Sequence, residues 1–122
     1  MALFDDHQIR ENLLKELDNA IKIKRERGQQ LAHKEFEYRV ALTKAMAEGM
    51  INGIKELDII KPVAATAVYD LCRGIPHVAK LRSERDSFKV LSETVQEHIY
   101  ALKTKIRIID SDIQNTINRG VS

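Results

Sequence analysis

The chain contains only two prolines, Pro62 and Pro76, and both lie near its middle. Proline interrupts helices because its ring removes a backbone N–H donor and clashes with the preceding turn. Two long segments, 6–48 and 76–118, have no proline in their interiors, since Pro76 is the first residue of the second. At about 1.5 Å per residue, each would form a helix roughly 64 Å long. This feature predicts an all-α protein dominated by two long helices of similar length.

The composition agrees with an all-α class. The 5 glycines and 2 prolines are too few for the many turns of a β-sandwich or barrel. Lys and Arg together number 20 against 18 Asp and Glu, a net charge of +2, which does not indicate a strongly basic nucleic-acid-binding protein. The single cysteine, Cys72, excludes an internal disulfide and any zinc site built from several cysteines.

Neither a membrane span nor a secretion signal is predicted. No apolar run approaches the roughly 18 residues that cross a bilayer. The first residues lack the basic and apolar regions of a signal peptide. We therefore expect a soluble, cytoplasmic protein.

The first long helix is predicted to begin at Asp5 or Asp6, which suit an N-cap, and to run to Glu48. Gly28 lies in a polar gap, where polar residues interrupt the apolar face, and the sequence leaves open whether the helix kinks or breaks there. Gly49 is predicted to end the helix. The residues that define its apolar face are Ile9, Leu13, Leu17, Ala20, Leu31, Tyr38, Leu42 and Ala45.

The middle of the chain predicts a turn followed by a short helix. Asn52 and Gly53 form a turn signal, and the residues after them fit either a short helical turn or an extended segment. Pro62 is predicted at the first position of a short helix that runs to about Cys72 and stops at Gly74. The residues expected to be buried there are Val63, Ala67, Val68 and Leu71.

The last helix, predicted to open at Pro76 and to run to about Asn118, carries a narrow apolar stripe. Such a stripe resembles a coiled-coil seam more than the broad face of a buried helix. Its members recur every three or four residues after a first spacing of seven: Leu81, Phe88, Leu91, Val95, Ile99, Leu102, Ile106, Ile109, Ile113 and Ile117.

Together these segments predict a long antiparallel helical hairpin, coiled-coil-like, in a single domain. It comprises an arm over 6–48, a head over 49–75 that contains the short helix, and an arm over 76–118. Placing Glu48 beside Pro76 gives a register in which facing residue numbers sum to about 124, and most of the facing charges are opposite in sign. That register pairs Lys24 with Glu97, Arg27 with Glu93, Arg10 with Asp112, and the acidic Glu16 and Asp18 with the basic 103–107 segment.

Several apolar residues lie off the predicted seam. Because a thin two-helix hairpin buries little surface, we expect a second copy of the chain to cover them, giving a homo-oligomer. They are Ile21, Ile23, Phe36, Val40, Val90, Tyr100 and Ile108.

The sequence shows no convincing catalytic or metal-binding constellation. Cys72 and His77 could pair across a turn, but a buried cysteine in the short helix is the favoured interpretation. His33 and Glu37 are four residues apart, yet the two Glu-x-x-His units of a di-metal bundle are missing. Nucleotide-binding glycine motifs are also missing. We therefore predict no catalytic residue, no metal and no cofactor.

A basic cluster surrounds the start of the last helix, where free backbone N–H groups favour anions. We predict that it binds an anionic ligand or an acidic partner. Alternatively, it is structural: it pairs with Glu48, Glu56 or Asp70, and Arg82 and Arg85 form pairs within the helix. A second basic run, 22–27, lacks aromatic partners, so nucleic-acid binding is not favoured. The residues of the first cluster are Arg73, Gly74, His77, Lys80, Arg82 and Arg85.

Several short segments between Glu48 and Ile113 carry a resemblance to a known group of proteins. They are Glu48-Gly49, Lys61-Pro62-Val63, Leu71-Cys-Arg-Gly74, Pro76-His-Val-Ala-Lys-Leu-Arg82, Arg85-Asp86 and the seam from Lys103 to Ile113. In these segments the chain resembles small α-helical accessory proteins encoded by phages and prophages of Gram-positive bacteria among early, recombination-associated or host-takeover genes. The resemblance covers about half the chain and brings no catalytic motif.

The leading functional hypothesis is a non-enzymatic, oligomeric helical binding or adaptor protein. The resemblance implies a host, defence or recombination protein as its partner, in the host cytoplasm. Two alternatives remain: a protein that sequesters an anionic small ligand such as a nucleotide signal, and an accessory protein for single-stranded DNA recombination.

Overall fold

The computed structural model describes residues 2–120. Three α-helices account for most of this range: α1 (Ala2–Asn52), α2 (Ala65–Arg73) and α3 (Pro76–Asn118). A short 3-10 turn, Lys55–Leu57, lies between α1 and α2. The long α1 packs against the long α3, which confirms the predicted all-α helical hairpin with a short helix in the head.

α1 is longer than predicted at both ends: Asp5 and Asp6, predicted as N-cap residues, lie inside a helix that begins at Ala2, and Gly49 does not end it. Gly49 is a buried helical residue three positions before the end of α1. A Cβ at this position would lie 3.2 Å from both Ile54 Cγ1 and Val68 Cγ2. This glycine is therefore used for close packing. The helix ends instead at Asn52, because Gly53 adopts a left-handed φ of +84°. At Gly28 the helix continues without a break.

The segment after α1 combines both conformations that the sequence left open. Ile54 and Ile59 form an antiparallel bridge, with N–H to O distances of 2.8 and 2.9 Å. The 3-10 turn lies between them, and Asp58 closes it with a left-handed φ of 57°. The predicted turn at Asn52 and Gly53 is confirmed.

The predicted start of the short helix at Pro62 is wrong. Ala64 is the extended N-cap of α2, and the helix begins at Ala65. Val63 stays outside the helix because its N–H donates to the Gly49 carbonyl, 2.9 Å away. Ala67 is exposed, contrary to expectation, whereas Val68 and Cys72 are buried. The predicted end at Gly74 is confirmed, since Gly74 is the C-cap.

The chain divides into two compact units. The first combines the residues up to Arg27 with those from Leu91 onward. In its core, Ala20, Ile99 and Leu102 pack with Leu13, Leu17 and Val95. Ile109 and Ile113 are also buried. These residues confirm the C-terminal half of the predicted seam as far as Ile113, whereas two of its members, Leu91 and the last residue Ile117, are exposed.

The second unit comprises Gly28–Val90. Its core joins residues of α1, of the 53–64 segment, of α2 and of the first turn of α3. The buried members are Tyr38, Leu42, Ile54, Val68, Cys72, Ile75 and Val78.

The predicted polar gap in α1 separates these two cores. No residue in 21–37, or in the α3 segment 79–98, is buried. The sequence places Lys24, Arg27 and Glu35 in that α1 interval. Apolar clustering therefore decides where each unit has its core.

The predicted register is wrong in detail. In the first unit, Arg10 pairs with Asp110 instead of Asp112. In the second unit, Lys34 pairs with Glu84 at 3.1 Å, six positions from the partner that the predicted register assigns. Exposed ion pairs contribute only about 0–1 kcal/mol each, whereas full burial of one Leu or Ile contributes roughly 1.5–3 kcal/mol. Apolar packing therefore sets the alignment, and charges adapt to it.

Two glycines of α1 provide a test of this packing. Gly28→Ala is expected to raise the free energy of unfolding by up to about 1 kcal/mol, because alanine favours helix and a Cβ there meets nothing within 4 Å. Gly49→Ala is expected to lower it, because the new methyl would press on Ile54 and Val68. Chemical denaturation of the two variants measures the difference. Equal stabilisation by both would show that the head does not close against α1 at Gly49.

Candidate binding site in the head

A cavity of about 510 Å³ lies in the second unit, where the end of α1, the 53–56 turn and the start of α3 meet. Its apolar residues come from all three elements, and charged side chains surround them. We call it the head cavity. Its lining residues are Ala41, Lys44, Ala45, Glu48, Asn52, Gly53, Ile54, Lys55, Glu56, Ile75, Pro76, His77 and Val78.

Backbone geometry at the end of α1 fixes one side of this cavity. A Cβ on Gly53 would lie 2.3 Å from the Ile59 carbonyl oxygen and 2.8 Å from that of Lys61, so only glycine fits. The Gly49 carbonyl accepts hydrogen bonds from the N–H groups of Gly53 and Val63, at 3.1 and 2.9 Å. These contacts hold the cavity open in the folded chain, as is typical of binding sites.

The charges around the head cavity are mixed in sign. Lys44, Lys55 and His77 are balanced by Glu48 and Glu56, and all five residues are exposed. Within residues 2–120, none of the five forms an ion pair with another residue. They therefore remain available to a partner that carries both acidic and basic groups.

An apolar depression adjoins the head cavity and shares Ala41, Lys44 and His77 with it. We call it the Phe36 groove; Phe36, Val40 and Leu81 supply its apolar surface, and Glu37 completes it. Phe36 is 66% exposed and Val40 is 49% exposed. Because Phe36, Val40 and Lys44 are four residues apart along α1, they form one continuous stripe.

The six residues of the predicted basic cluster do not meet at one point. Of them, only His77 lines the head cavity. The Arg73 guanidinium lies 5.4 Å from the centre of the Tyr69 ring. The Arg85 guanidinium lies 4.7 Å from the Tyr38 ring centre and donates two hydrogen bonds to Asp86. Both arginines are therefore engaged within the chain, although Arg73 Nε is buried without a hydrogen-bond partner in the part of the chain described.

The remaining members of the cluster diverge. Lys80 and Arg82 are two positions apart on α3, and residues at that spacing point away from each other on a helix. Neither Lys80 nor Arg82 forms an ion pair with any residue that the structure describes. The alternative prediction, internal pairing with Glu48, Glu56 or Asp70, is therefore not observed for these two residues. Gly74 caps α2, with its N–H donating to the Leu71 carbonyl at 3.0 Å.

Cys72 is a core residue. Its side chain is fully buried. Burial, with a smaller contribution from the nearby Glu56 carboxylate, raises the pKa of the Cys72 thiol. A raised pKa disfavours the thiolate, which is the nucleophilic form. The favoured interpretation from sequence is confirmed for Cys72.

The histidines and carboxylates do not converge on a metal site in the described residues. No group of three or more His, Cys, Asp or Glu side chains comes together within residues 2–120. His33 and Glu37, considered above as a pair of ligands, lie on the surface of α1 with His33 Nε2 2.6 Å from Glu37 Oε1.

Comparison with protein-family models, with curated proteins and with solved structures finds no match to this chain. The part of the chain that the structure describes contains no helix with both the length and the apolar character of a membrane span.

Sequence reasoning identified part of this site. Phe36 and Val40 are among the apolar residues that lie off the predicted seam, so their exposure was detectable. The head cavity was not predicted, because it depends on the Ile54–Ile59 bridge and on the extra turn of α1 beyond Gly49. No local pattern of residue types indicates either feature.

Arg85 and Arg82 form a matched pair for testing the role of stacking. Arg85→Ala is expected to lower the free energy of unfolding by about 1 kcal/mol, because the guanidinium covers the ring of buried Tyr38. Arg82 forms no ion pair or ring contact with any residue in 2–120, so Arg82→Ala is expected to change the free energy of unfolding by less than about 0.5 kcal/mol. Denaturation curves distinguish the two. Equal stability of both variants would mean that the stacked geometry contributes nothing.

The buried thiol predicts a pH dependence. Its raised pKa means that the unfolded chain releases the Cys72 proton at a lower pH than the folded chain does. The free energy of unfolding should therefore fall as pH rises above the ordinary thiol value of 9.0. Cys72→Ala should show a flatter dependence between pH 8 and 10 (about the onset of thiol ionisation). The hydrogen bond to Glu84 raises the pKa of Lys34 from its ordinary value of 10.5. Above pH 10.5 the unfolded chain would lose the Lys34 proton first, which would also lower the free energy of unfolding. The chosen window stays below that pH. Identical slopes for the two proteins would contradict the burial of this thiol.

Proposed function

We propose that this chain is a non-enzymatic helical binding protein that docks a segment of a partner protein on its head. The observation that carries the proposal is the continuity of the head cavity with the Phe36 groove through Ala41, Lys44 and His77. A solvent-exposed Phe and Val beside a structured cavity are typical of a recognition surface.

The chemistry of this surface favours an amphipathic peptide or helix. Phe36 and Val40 offer apolar surface, and burial of each side chain would contribute roughly 1.5–3 kcal/mol before the cost of association. Lys44 and Lys55 can pair with acidic side chains of the partner, and Glu48 and Glu56 with basic ones. An interface with an apolar centre and a charged rim matches this arrangement.

The wider biological setting rests on the sequence resemblance. A phage or prophage accessory protein of this kind would act in the host cytoplasm on a host, defence or recombination protein. The long arms would assemble copies of the chain, leaving each head available to its partner. The buried Cys72 thiol, whose pKa is raised by burial, is poorly suited to act as a nucleophile.

An anionic small ligand is the second candidate. The head cavity has a volume typical of small-molecule sites, and Lys44, Lys55 and His77 line it. Glu48 and Glu56 line it as well and offset that positive charge. We therefore rank this candidate below a protein segment.

Site-specific photocrosslinking tests the proposal. A photoreactive phenylalanine analogue placed at Lys44, in both the head cavity and the Phe36 groove, is expected to capture one protein in cells that produce the chain. The control position is Thr43, which is exposed but lines neither. The captured protein is then titrated against the purified chain, and Val40→Asp is expected to weaken binding by about tenfold or more, because it places a charge on the apolar stripe.

Three outcomes would contradict docking of a protein segment. They are equal capture from Thr43 and Lys44, no capture from Lys44, and binding unaffected by Val40→Asp. A small molecule that stays bound in native mass spectrometry and is lost on Lys55→Ala would support the second candidate instead.

A further inference from the structure

The middle of α3 carries a symmetric pattern of charge around one exposed aromatic residue. Glu93 and Glu97 lie seven and three positions before Tyr100, and Lys103 and Arg107 lie three and seven positions after it. Spacings of three, four and seven place all five residues on one face of the helix. Reversing the helix direction about Tyr100 therefore exchanges each acidic position with a basic one.

This face is unoccupied within the first unit. All five residues are exposed, and Tyr100 is 63% exposed. None of the four charged side chains forms an ion pair with any residue in the range that the structure describes. The register predicted from sequence paired these charges with α1, and apolar packing has left them facing outward instead.

We propose that this face of α3 binds the same face of a second copy, antiparallel, with the two-fold axis at Tyr100. A two-fold interface uses one self-complementary patch on both chains. In this arrangement Glu93 faces Arg107 of the partner subunit, and Glu97 faces Lys103 of the partner subunit. The inference gives the surface for the assembly included in the proposed function, and it rests on that part of the proposal.

Charge complementarity selects this occupant and this orientation. A parallel copy in the same register would place Glu93 against Glu93 and Arg107 against Arg107, which is repulsive. The patch spans about 21 Å along the helix, from 1.5 Å per residue over 14 residues. Its ion pairs would be exposed to solvent, so the dimer is expected to weaken in high salt.

Paired charge reversals test the proposal. The all-basic variant carries Glu93→Lys with Glu97→Lys, and the all-acidic variant carries Lys103→Glu with Arg107→Glu. Each variant alone is expected to dimerise at least about tenfold more weakly than the unmodified chain in sedimentation equilibrium. An equimolar mixture is expected to form a heterodimer with affinity within about threefold of the unmodified dimer, because every facing pair is again opposite in sign.

Lys105→Glu is the matched control. Lys105 is exposed on the same helix but lies five positions from Tyr100, which at about 100° per residue places it away from the patch. Its reversal should change the dimerisation constant by less than about twofold. Circular dichroism is used to check that every variant remains helical. If mixing restores the dimer, misfolding is excluded as the cause of weaker dimerisation.

The outcomes separate this surface from the broader proposal. If neither double reversal changes the dimerisation constant, the proposed α3 face around Tyr100 is overturned, and the chain assembles through another face. A chain that stays monomeric up to about 100 µM overturns both assembly and this surface, whereas docking at the head is judged separately by the crosslinks from Lys44. Loss of dimer in the double variants without rescue on mixing also rejects the antiparallel pairing.

Discussion

Close packing at the end of α1 determines the rest of the head. Gly49 has no side chain, so Ile54 and Val68 approach the helix to a distance that a Cβ would obstruct. Its carbonyl accepts hydrogen bonds from Gly53 and Val63, so the chain both leaves the helix and returns to it at one point. The Ile54–Ile59 bridge, the start of α2 at Ala65 and the cavity beside α3 all follow from this contact.

The sequence predicts the fold class, the end of α2 and both ends of α3, because those depend on local properties. Pro76 marks the start of α3, Gly74 the end of α2, and the spacing of Ile99, Leu102, Ile109 and Ile113 identifies the buried face. It does not predict the role of Gly49, the start of α2 or the helix register, because these depend on contacts between distant segments. The register shows why: the predicted register paired Arg10 with Asp112, but the exposed pair with Asp110 follows the apolar packing.

In the candidate site, too, the sequence predicts local properties but not the contacts between distant segments. The apolar residues off the seam were visible in the sequence, and Phe36, Val40 and Tyr100 are indeed exposed. The basic cluster from Arg73 to Arg85 was suggested by proximity along the chain, yet its members diverge around α3 or stack on Tyr69 and Tyr38. Closeness along the chain therefore does not bring these arginines together into one site.

Native-state hydrogen exchange tests most directly whether the head is preformed. If the contact at Gly49 organises it, the amides of Val63 and Ile59, which donate to the carbonyls of Gly49 and Ile54, exchange only through global unfolding. Their exchange should then show the same dependence on denaturant as the amide of Leu42 in the core of the second unit. Fast exchange at Val63 and Ile59 without denaturant dependence, while Leu42 stays protected, would show that the head closes only transiently and would contradict a preformed cavity.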